Sequence, residues 1–71
     1  MNNMNTDDVP RLRDYRGTKI KEGDTIQHPT GDRAKVVYDS SFEDPWRAVY
    51  EDGESLWLGN QVNEKGQAVV V

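Results

Sequence analysis

Two runs of alternating apolar and polar residues meet at the pair Asp52-Gly53, and this junction constrains the fold more than any other feature of the chain. The run 46–51 reads Trp-Arg-Ala-Val-Tyr-Glu, and the run 54–58 reads Glu-Ser-Leu-Trp-Leu. An Asp-Gly pair between two such runs is a strong signal for a β-hairpin, because glycine readily adopts a positive φ. The sequence therefore predicts two antiparallel strands joined by a tight turn, with Gly53 at positive φ.

The same period of two recurs elsewhere, and no stretch of about ten residues shows a helical period. In the run 33–39, one face carries Ala34, Val36 and Tyr38. Further extended pieces are predicted at 18–20, 25–28 and 67–71, separated by turns that contain glycine. The segment 59–62 is too short for a full helix and predicts a single 3₁₀ turn. Short strands joined by such turns favour an all-β fold, a small five-stranded barrel whose closure removes exposed sheet edges.

Length and composition limit the chain to one small domain. It has 71 residues, no cysteine and a mean hydropathy of -0.94. The absence of cysteine excludes disulfides and thiolate metal sites. The sequence has no apolar run of membrane-spanning length and no secretory signal, so we expect a cytoplasmic protein that does not enter a membrane.

The apolar residues divide the chain into two parts. Only five of the 24 apolar residues lie in 1–19, so the core is expected in the remainder. We predict a flexible N-terminal tail or leader over residues 1–14 and the barrel domain over residues 15–71. Residues 1–8 are rich in Asn and acidic groups and are predicted to be disordered. For 9–14 two readings stay open, a short helical turn around Pro10 or an extended leader laid on the barrel.

Charge disfavours a nucleic-acid partner. The formal net charge is -4, and the segment 39–54 holds six acidic residues against Arg47 alone. A phosphate-binding surface needs clustered Lys and Arg, whereas the predicted domain is acidic. A local basic patch remains open, formed by Arg11, Arg13, Arg16 and Lys19. The acidic segment instead favours a cationic protein partner, whose association it would accelerate.

Two segments carry a resemblance to a known fold family. The first is Ile20-Lys21-Glu22-Gly23-Asp24-Thr25-Ile26, followed by Pro29-Thr30-Gly31 and Ala34-Lys35-Val36-Val37. It resembles the opening of SH3-like barrels of the KOW and Tudor type. The second, Trp46 to Glu54, resembles the strand, Asp-Gly, strand hairpin of Tudor domains. The resemblance covers residues 18–71 and implies an SH3-like barrel, which hosts many unrelated functions. The chain also resembles a family of small bacterial or phage proteins. That resemblance implies no activity, and a small accessory factor of such a system is one role that we expect for the chain.

Four aromatic residues suggest a binding cage: Tyr38, Phe42, Trp46 and Tyr50. Tudor-like domains use such cages to hold methylated ammonium groups by cation–π attraction. The alternative is core packing, because three of the four share strand faces with alanine or valine. The alternation favours this second interpretation.

The sequence offers no constellation for catalysis or metal binding. His28 is the single histidine, and one histidine without cysteine makes no metal cluster. No Ser-His-Asp arrangement can be argued, and the acidic pairs are typical of solvated turns. We therefore expect a non-enzymatic protein without cofactor or metal.

The outward-facing residues carry the functional prediction. If the strand face that carries Ala34 and Ala48 points inward, then Val37, Val49 and Trp57 point outward from sequential strands and form one apolar stripe. The predicted partner-binding residues are Trp57, Val37, Val49, Arg47 and Glu51. We expect a protein-interaction module that docks this stripe on a protein partner or on a second copy.

Two alternatives to a partner-binding stripe stay open. Strongly bent strands bury residues on both faces, or the N-terminal leader covers the stripe. In function, the alternatives are a KOW-like nucleic-acid-associated protein acting in transcription or translation, and an acidic mimic that inhibits a nucleic-acid-binding protein.

Overall fold

The computed structural model describes residues 8–71. Its elements in chain order are β1 (Asp8–Arg13), β2 (Lys19–Lys21), β3 (Thr25–Gln27), β4 (Arg33–Tyr38), β5 (Trp46–Tyr50), β6 (Ser55–Trp57), α1 (Leu58–Val62) and β7 (Val69–Val70). The domain is mostly β, as predicted, with one short helix in the described part. The disordered tail predicted for residues 1–8 lies outside the described residues, apart from Asp8 at the start of β1.

Five of the described strands form one antiparallel sheet in the order β6-β5-β4-β3-β7, and β1 pairs with β2 in a separate hairpin. Strands β3 to β6 follow one another as a meander, and β7 returns to pair with β3. The predicted five-stranded sheet is confirmed, whereas closure into a barrel is not detected within residues 8–71. The segment for which a helical turn or an extended leader stayed open contributes strand β1.

The β5–β6 hairpin has the predicted glycine conformation but a longer loop. Gly53 has a φ of 90°. Its N–H donates to the Tyr50 carbonyl over 2.9 Å, and the Tyr50 N–H donates to the Glu54 carbonyl over 2.9 Å. The loop therefore has three residues, Glu51 to Gly53, and not the two of the Asp-Gly pair. In such three-residue loops the last position takes the positive φ, so the glycine is required there.

The core lies on the inner face of the sheet and is built largely from small side chains. Its buried apolar residues are Ile20, Ile26, Ala34, Val36, Ala48, Leu58, Val62 and Ala68. Alternation along β4 buries Ala34 and Val36, while the polar residues between and before them stay exposed. The helix α1 adds Leu58 and Val62, which are four positions apart and so lie on one side of it.

The turn after β6 is an α-helix and not the predicted 3₁₀ turn. α1 begins at Leu58, one residue before the predicted segment, and takes that residue out of the strand. The reason is packing, because α-helical spacing directs both Leu58 and Val62 into the core. A 3₁₀ turn repeats every three residues and would rotate one of them away.

Tyr38 is the exception on the predicted inner face. Its side chain is 48% exposed, although Ala34 and Val36 on the same face are buried. Tyr38 ends β4 and pairs with the first residue of β5, so it lies at the end of the sheet where fewer neighbours cover it. Trp46, Tyr50 and Leu56, which alternation places on the same face, are half-buried.

Asp14 joins the β1–β2 hairpin to the five-stranded sheet. Its carboxylate is buried and accepts three backbone hydrogen bonds. Oδ1 accepts the N–H groups of Arg16 at 2.9 Å and Thr18 at 2.7 Å, and Oδ2 accepts the N–H of Val70 at 2.8 Å. A charge can be buried when hydrogen bonds replace its water, so this carboxylate fixes the hairpin turn against β7.

Candidate interaction surface

The outward face of β4, β5 and β6 carries two rows of directly opposed residues. In one row Arg47 pairs with Val37 on one side and with Trp57 on the other. In the next row Val49 lies between Lys35 and Ser55. Opposed residues in adjacent strands share a face. Four of the five predicted partner-binding residues therefore lie together; they are Val37, Arg47, Val49 and Trp57. With Phe42, described below, they form what we call the outer face.

Glu51, the fifth predicted residue, lies in the β5–β6 loop and not on the strand. The predicted strand extends to this residue, but the three-residue loop ends β5 at Tyr50. Glu51 is exposed in this loop, where it lines the groove described below and lies outside the two rows.

Trp57 is held in a defined position despite its exposure. Its side chain is 41% exposed, which makes it one of the most exposed large apolar groups of the described residues. The indole lies against Gly59, because a Cβ added there would come within 2.5 Å of the Trp57 Cζ2 atom. The glycine therefore allows the ring to lie on the first turn of α1, with its other side free.

Arg47 lies at the centre of the outer face and is restrained from several sides. Its Nε donates to the Ser55 Oγ over 3.1 Å, and Nη2 donates to the Ser55 carbonyl over 3.1 Å. Nη1 donates to the Asp44 carbonyl over 3.2 Å. The guanidinium carbon lies 3.9 Å from the centroid of the Phe42 ring, in a cation–π contact. These contacts hold the guanidinium in a defined position.

The β4–β5 loop that carries Phe42 has its own internal support. Asp39 Oδ1 accepts the Ser41 hydroxyl at 2.6 Å and the Ser41 N–H at 3.0 Å. These hydrogen bonds, the hydroxyl first, lower the pKa of Asp39 below its ordinary value, and the charge of Arg47 adds to the effect. Phe42 itself is 39% exposed and joins the outer face through Arg47. Strand alternation could not place it, because it lies in a loop.

The four residues of the suggested aromatic cage are divided among three separate contacts. Tyr38 and Trp46 meet edge to face with their centroids 5.0 Å apart. Phe42 lies on the guanidinium of Arg47. Tyr50 stacks on a histidine, His28, at 5.7 Å. The structure thus brings only Tyr38 and Trp46 together, and they meet at the exposed end of the sheet.

A second polar cluster lies at the end of β5 away from Trp46. His28 Nδ1 lies 2.8 Å from the Gly66 carbonyl, and Nε2 lies 2.6 Å from the Tyr50 hydroxyl. That hydroxyl lies 2.8 Å from Gln61 Oε1, and Gln61 Nε2 donates to the Trp57 carbonyl over 3.2 Å. Sequence reasoning missed this cluster, because the three contacts that involve His28 or Tyr50 span 11 to 38 positions and no local pattern connects their residues.

The cluster lines one side of an open groove of about 1110 Å³. Its walls are formed by residues of the β3–β4, β5–β6 and α1–β7 connections. Acidic residues outnumber basic ones along these walls: the acidic residues are Asp32, Glu51, Asp52 and Glu54, and the basic residues are Arg33 and Lys65. Burial raises the pKa of the Tyr50 hydroxyl, and the nearby carboxylates of Asp32 and Glu54 raise it further. The phenol therefore stays protonated at neutral pH and keeps a proton to donate.

The suggested basic patch lies on the β1–β2 hairpin. Arg11 and Arg13 belong to β1, Arg16 lies in the connecting turn, and Lys19 begins β2. Arg13, Arg16 and Lys19 are exposed, and Arg13 Nη1 donates to the Gly17 carbonyl over 3.2 Å. The patch is separate in sequence and sheet from the outer face.

Among the described residues, no group of three or more His, Asp or Glu side chains is positioned to hold a metal ion. In the same part of the chain, no helix has the length and apolar character needed to cross a membrane. Comparison of the chain with protein-family models, with curated proteins and with solved structures found no match.

Proposed function

We propose that this chain is a non-enzymatic protein-interaction module with an SH3-like barrel of the KOW or Tudor type, which docks a protein partner on its outer face. The strand order supports the fold assignment. A four-stranded meander leads into a single helical turn, and the last strand returns to pair with the first strand of the meander.

The observation that carries the function is the pairing of an exposed indole with a restrained guanidinium. Trp57 and Arg47 are directly opposed, and Val37 continues the row. Tryptophan and arginine are the residue types that contribute most to protein interfaces. Because contacts to Gly59 and Ser55 already fix both side chains, docking would cost little further side-chain entropy.

Charge determines the kind of partner. The loops before and after β5 are both acidic, with Glu43 and Asp44 in the first and Asp52 and Glu54 in the second. The chain as a whole carries -4. A basic protein with an apolar patch would complement the acidic loops by its charge and the apolar residues of the outer face by its patch. Its association would be faster at low salt.

A quantitative capture experiment tests this proposal. Immobilised wild-type protein, Trp57→Ala and Tyr38→Ala are compared at low salt and at ~150 mM salt, where charges are screened beyond ~8 Å. Tyr38→Ala is the matched control, because it removes an exposed aromatic group from the opposite face. We expect basic proteins to be captured by the wild type and by the control. Trp57→Ala should capture roughly 30-fold less of the same proteins. Equal capture by all three variants would contradict the proposal.

Two further measurements distinguish this partner from a second copy of the chain and from a nucleic acid. Sedimentation that shows a dimer in the wild type, lost in Trp57→Ala, would assign the outer face to a second copy. Binding of RNA or DNA that weakens with salt and depends on Arg16 and Lys19 would favour a nucleic-acid-associated function on the exposed β1–β2 hairpin.

A further inference from the structure

The two edges of the five-stranded sheet differ in how their outward backbone groups are bound. At the β7 edge, the N–H of Tyr15 donates to the Ala68 carbonyl over 3.0 Å. The N–H of Val70 donates to the Asp14 carboxylate over 2.8 Å. The segment that follows β1 therefore covers this edge, and the groups of β7 that face away from β3 have partners within the chain.

The other edge is β6, whose single neighbour in the sheet is β5. Hydrogen bonds in an antiparallel pair join every second residue of each strand. The N–H of Tyr50 donates to the Glu54 carbonyl over 2.9 Å, so the next bonded residue of β6 is Leu56. The N–H groups of Ser55 and Trp57 therefore point away from β5. In the described part of the chain, neither of them donates to a loop or helix carbonyl.

The carbonyls of the same two residues are in a different state, because side chains contact them. Arg47 Nη2 donates to the Ser55 carbonyl over 3.1 Å, and Gln61 Nε2 donates to the Trp57 carbonyl over 3.2 Å. A carbonyl oxygen has two lone pairs, so the Ser55 oxygen retains the capacity for a second hydrogen bond. The β6 edge thus offers two N–H donors and one acceptor, which are the groups that pair with a further strand.

The side chains beside this edge select the kind of strand that fits. Trp57 is exposed on the outer face, whereas Glu54 and Leu56 line the groove on the opposite side. Successive side chains of an added strand point to opposite sides of the sheet. One side would therefore lie beside the Trp57 indole and suits apolar groups. The other side would lie beside the Glu54 carboxylate and suits basic groups.

We propose that β6 is a strand-addition site whose occupant is an extended segment of a basic partner protein, with basic and apolar residues in alternation. This inference rests on the proposed function, because it states how the partner lies beside the outer face. A second copy of the chain fits less well, since each copy carries a net charge of -4. Backbone hydrogen bonds supply affinity in this mode, and the alternate side chains supply specificity.

Hydrogen exchange of single amides tests whether the edge is open. In the free protein, the N–H groups of Ser55 and Trp57 should exchange at least about tenfold faster than that of Leu56, which bonds β5. Val70 is a second slow reference, because its N–H is bound at the other edge. Slow exchange at Ser55 and Trp57 would show that the β6 edge is already covered and would overturn the proposal.

Binding of a defined peptide tests the occupant. The probe is a peptide of alternating lysine and valine, about eight residues long, which is within the usual length of a strand. On titration we expect the amides of Ser55 and Trp57 to become protected from exchange. The same peptide methylated on its backbone nitrogens cannot pair as a strand and should bind at least about tenfold more weakly. Equal binding of the two peptides contradicts strand addition.

A pair of variants at one position tests the edge from the side of the protein. Ser55→Pro removes an N–H that does not bond β5, and proline is tolerated in edge strands where the N–H faces outward. Ser55→Ala is the matched control, because it also loses the hydroxyl contact with Arg47 Nε but keeps the N–H. We expect the unmethylated peptide to bind Ser55→Pro at least about tenfold more weakly than Ser55→Ala. Equal affinities would refute the proposal, and if urea unfolding shows that the proline variant is not folded, the two peptides decide.

Trp57→Ala separates a failure of this inference from a failure of the proposed function. If Trp57→Ala loses the basic proteins while Ser55→Pro and Ser55→Ala capture them equally, the outer face binds its partner without strand addition. If Trp57→Ala captures them as the wild type does while the peptide still protects the Ser55 amide, the β6 edge binds strands and the outer face is not the docking surface.

Discussion

The two faces of the central strands have the same alternation in sequence but differ in how deeply their residues are buried. The inner face of β4 and β5 buries Ala34, Val36 and Ala48. Trp46 and Tyr50 lie on the same face and pack half-buried against this core. The outer face carries no fully buried residue, and Trp57 remains 41% exposed there. Two tryptophans thus lie on opposite faces, so side-chain size alone is a poor guide to burial here, and an exposed apolar group such as Trp57 is typical of a contact site.

The strongest test of this contrast uses Leu58, the buried neighbour of Trp57. Leu58 is 0% exposed, so Leu58→Ala should reduce the free energy of unfolding by about 3 kcal/mol through lost burial and a cavity. Urea unfolding measures the loss. A loss below about 1 kcal/mol would mean that α1 does not close the core, and the contrast between the faces would fail.

Adding volume to each face gives the next largest expected effect. Ala48→Leu should destabilise the domain by about 2 kcal/mol, because a buried position of 0% exposure has no room for three more carbons. The adjacent Val49→Leu, on the outer face, is the matched control and should change stability by less than about 0.5 kcal/mol. Thermal unfolding of both variants compares the faces at one point of β5. Equal losses would show that the outer face is packed as tightly as the inner one.

The β5–β6 loop decides which residues fall on which face, since a shift of one residue in register would exchange them. Gly53→Val should cost about 1–2 kcal/mol, because valine is strained at the positive φ of this position. No neighbouring atom lies within 4 Å of the added Cβ, so the loss reports backbone strain and not a clash. A neutral substitution would indicate that the loop adopts another conformation in solution.

Trp57→Ala, the last of these tests, should reduce the free energy of unfolding by less than about 1 kcal/mol. The indole loses only its contact with Gly59 and its partial burial. Calorimetry of the purified variant measures this value without reference to any partner. A loss of about 3–5 kcal/mol would place Trp57 in the core and would remove the outer face as a binding surface.

Local chemistry explains the parts of the structure that the sequence predicts. The Asp-Gly pair predicts the β5–β6 hairpin because glycine tolerates the φ that such a loop needs. The period of two predicts that Val37, Val49 and Trp57 share a face, because side chains alternate along a strand. Both signals lie within a few residues of the structure they describe.

The features that the sequence does not predict depend on contacts between distant segments. His28 meets Gly66 38 positions away, and neither residue carries a local sign of the other. Tyr38 follows the inward alternation yet is exposed, because periodicity does not tell where a sheet ends. The position of Phe42 on Arg47 depends on the loop path, which no period describes.

The hydrogen bond from Val70 to the buried carboxylate of Asp14 has a consequence for biosynthesis. The two residues are 56 positions apart, and the same strand, β7, completes the sheet beside β3. During translation the Asp14 side chain is made early and remains without this partner until Val70 has emerged from the ribosome. This link between the hairpin and the sheet can therefore form only after Val70 has been made, and long-range pairing of this kind slows folding. Until then the nascent chain exposes β3 as an unpaired edge, which is the form most open to pairing with other chains.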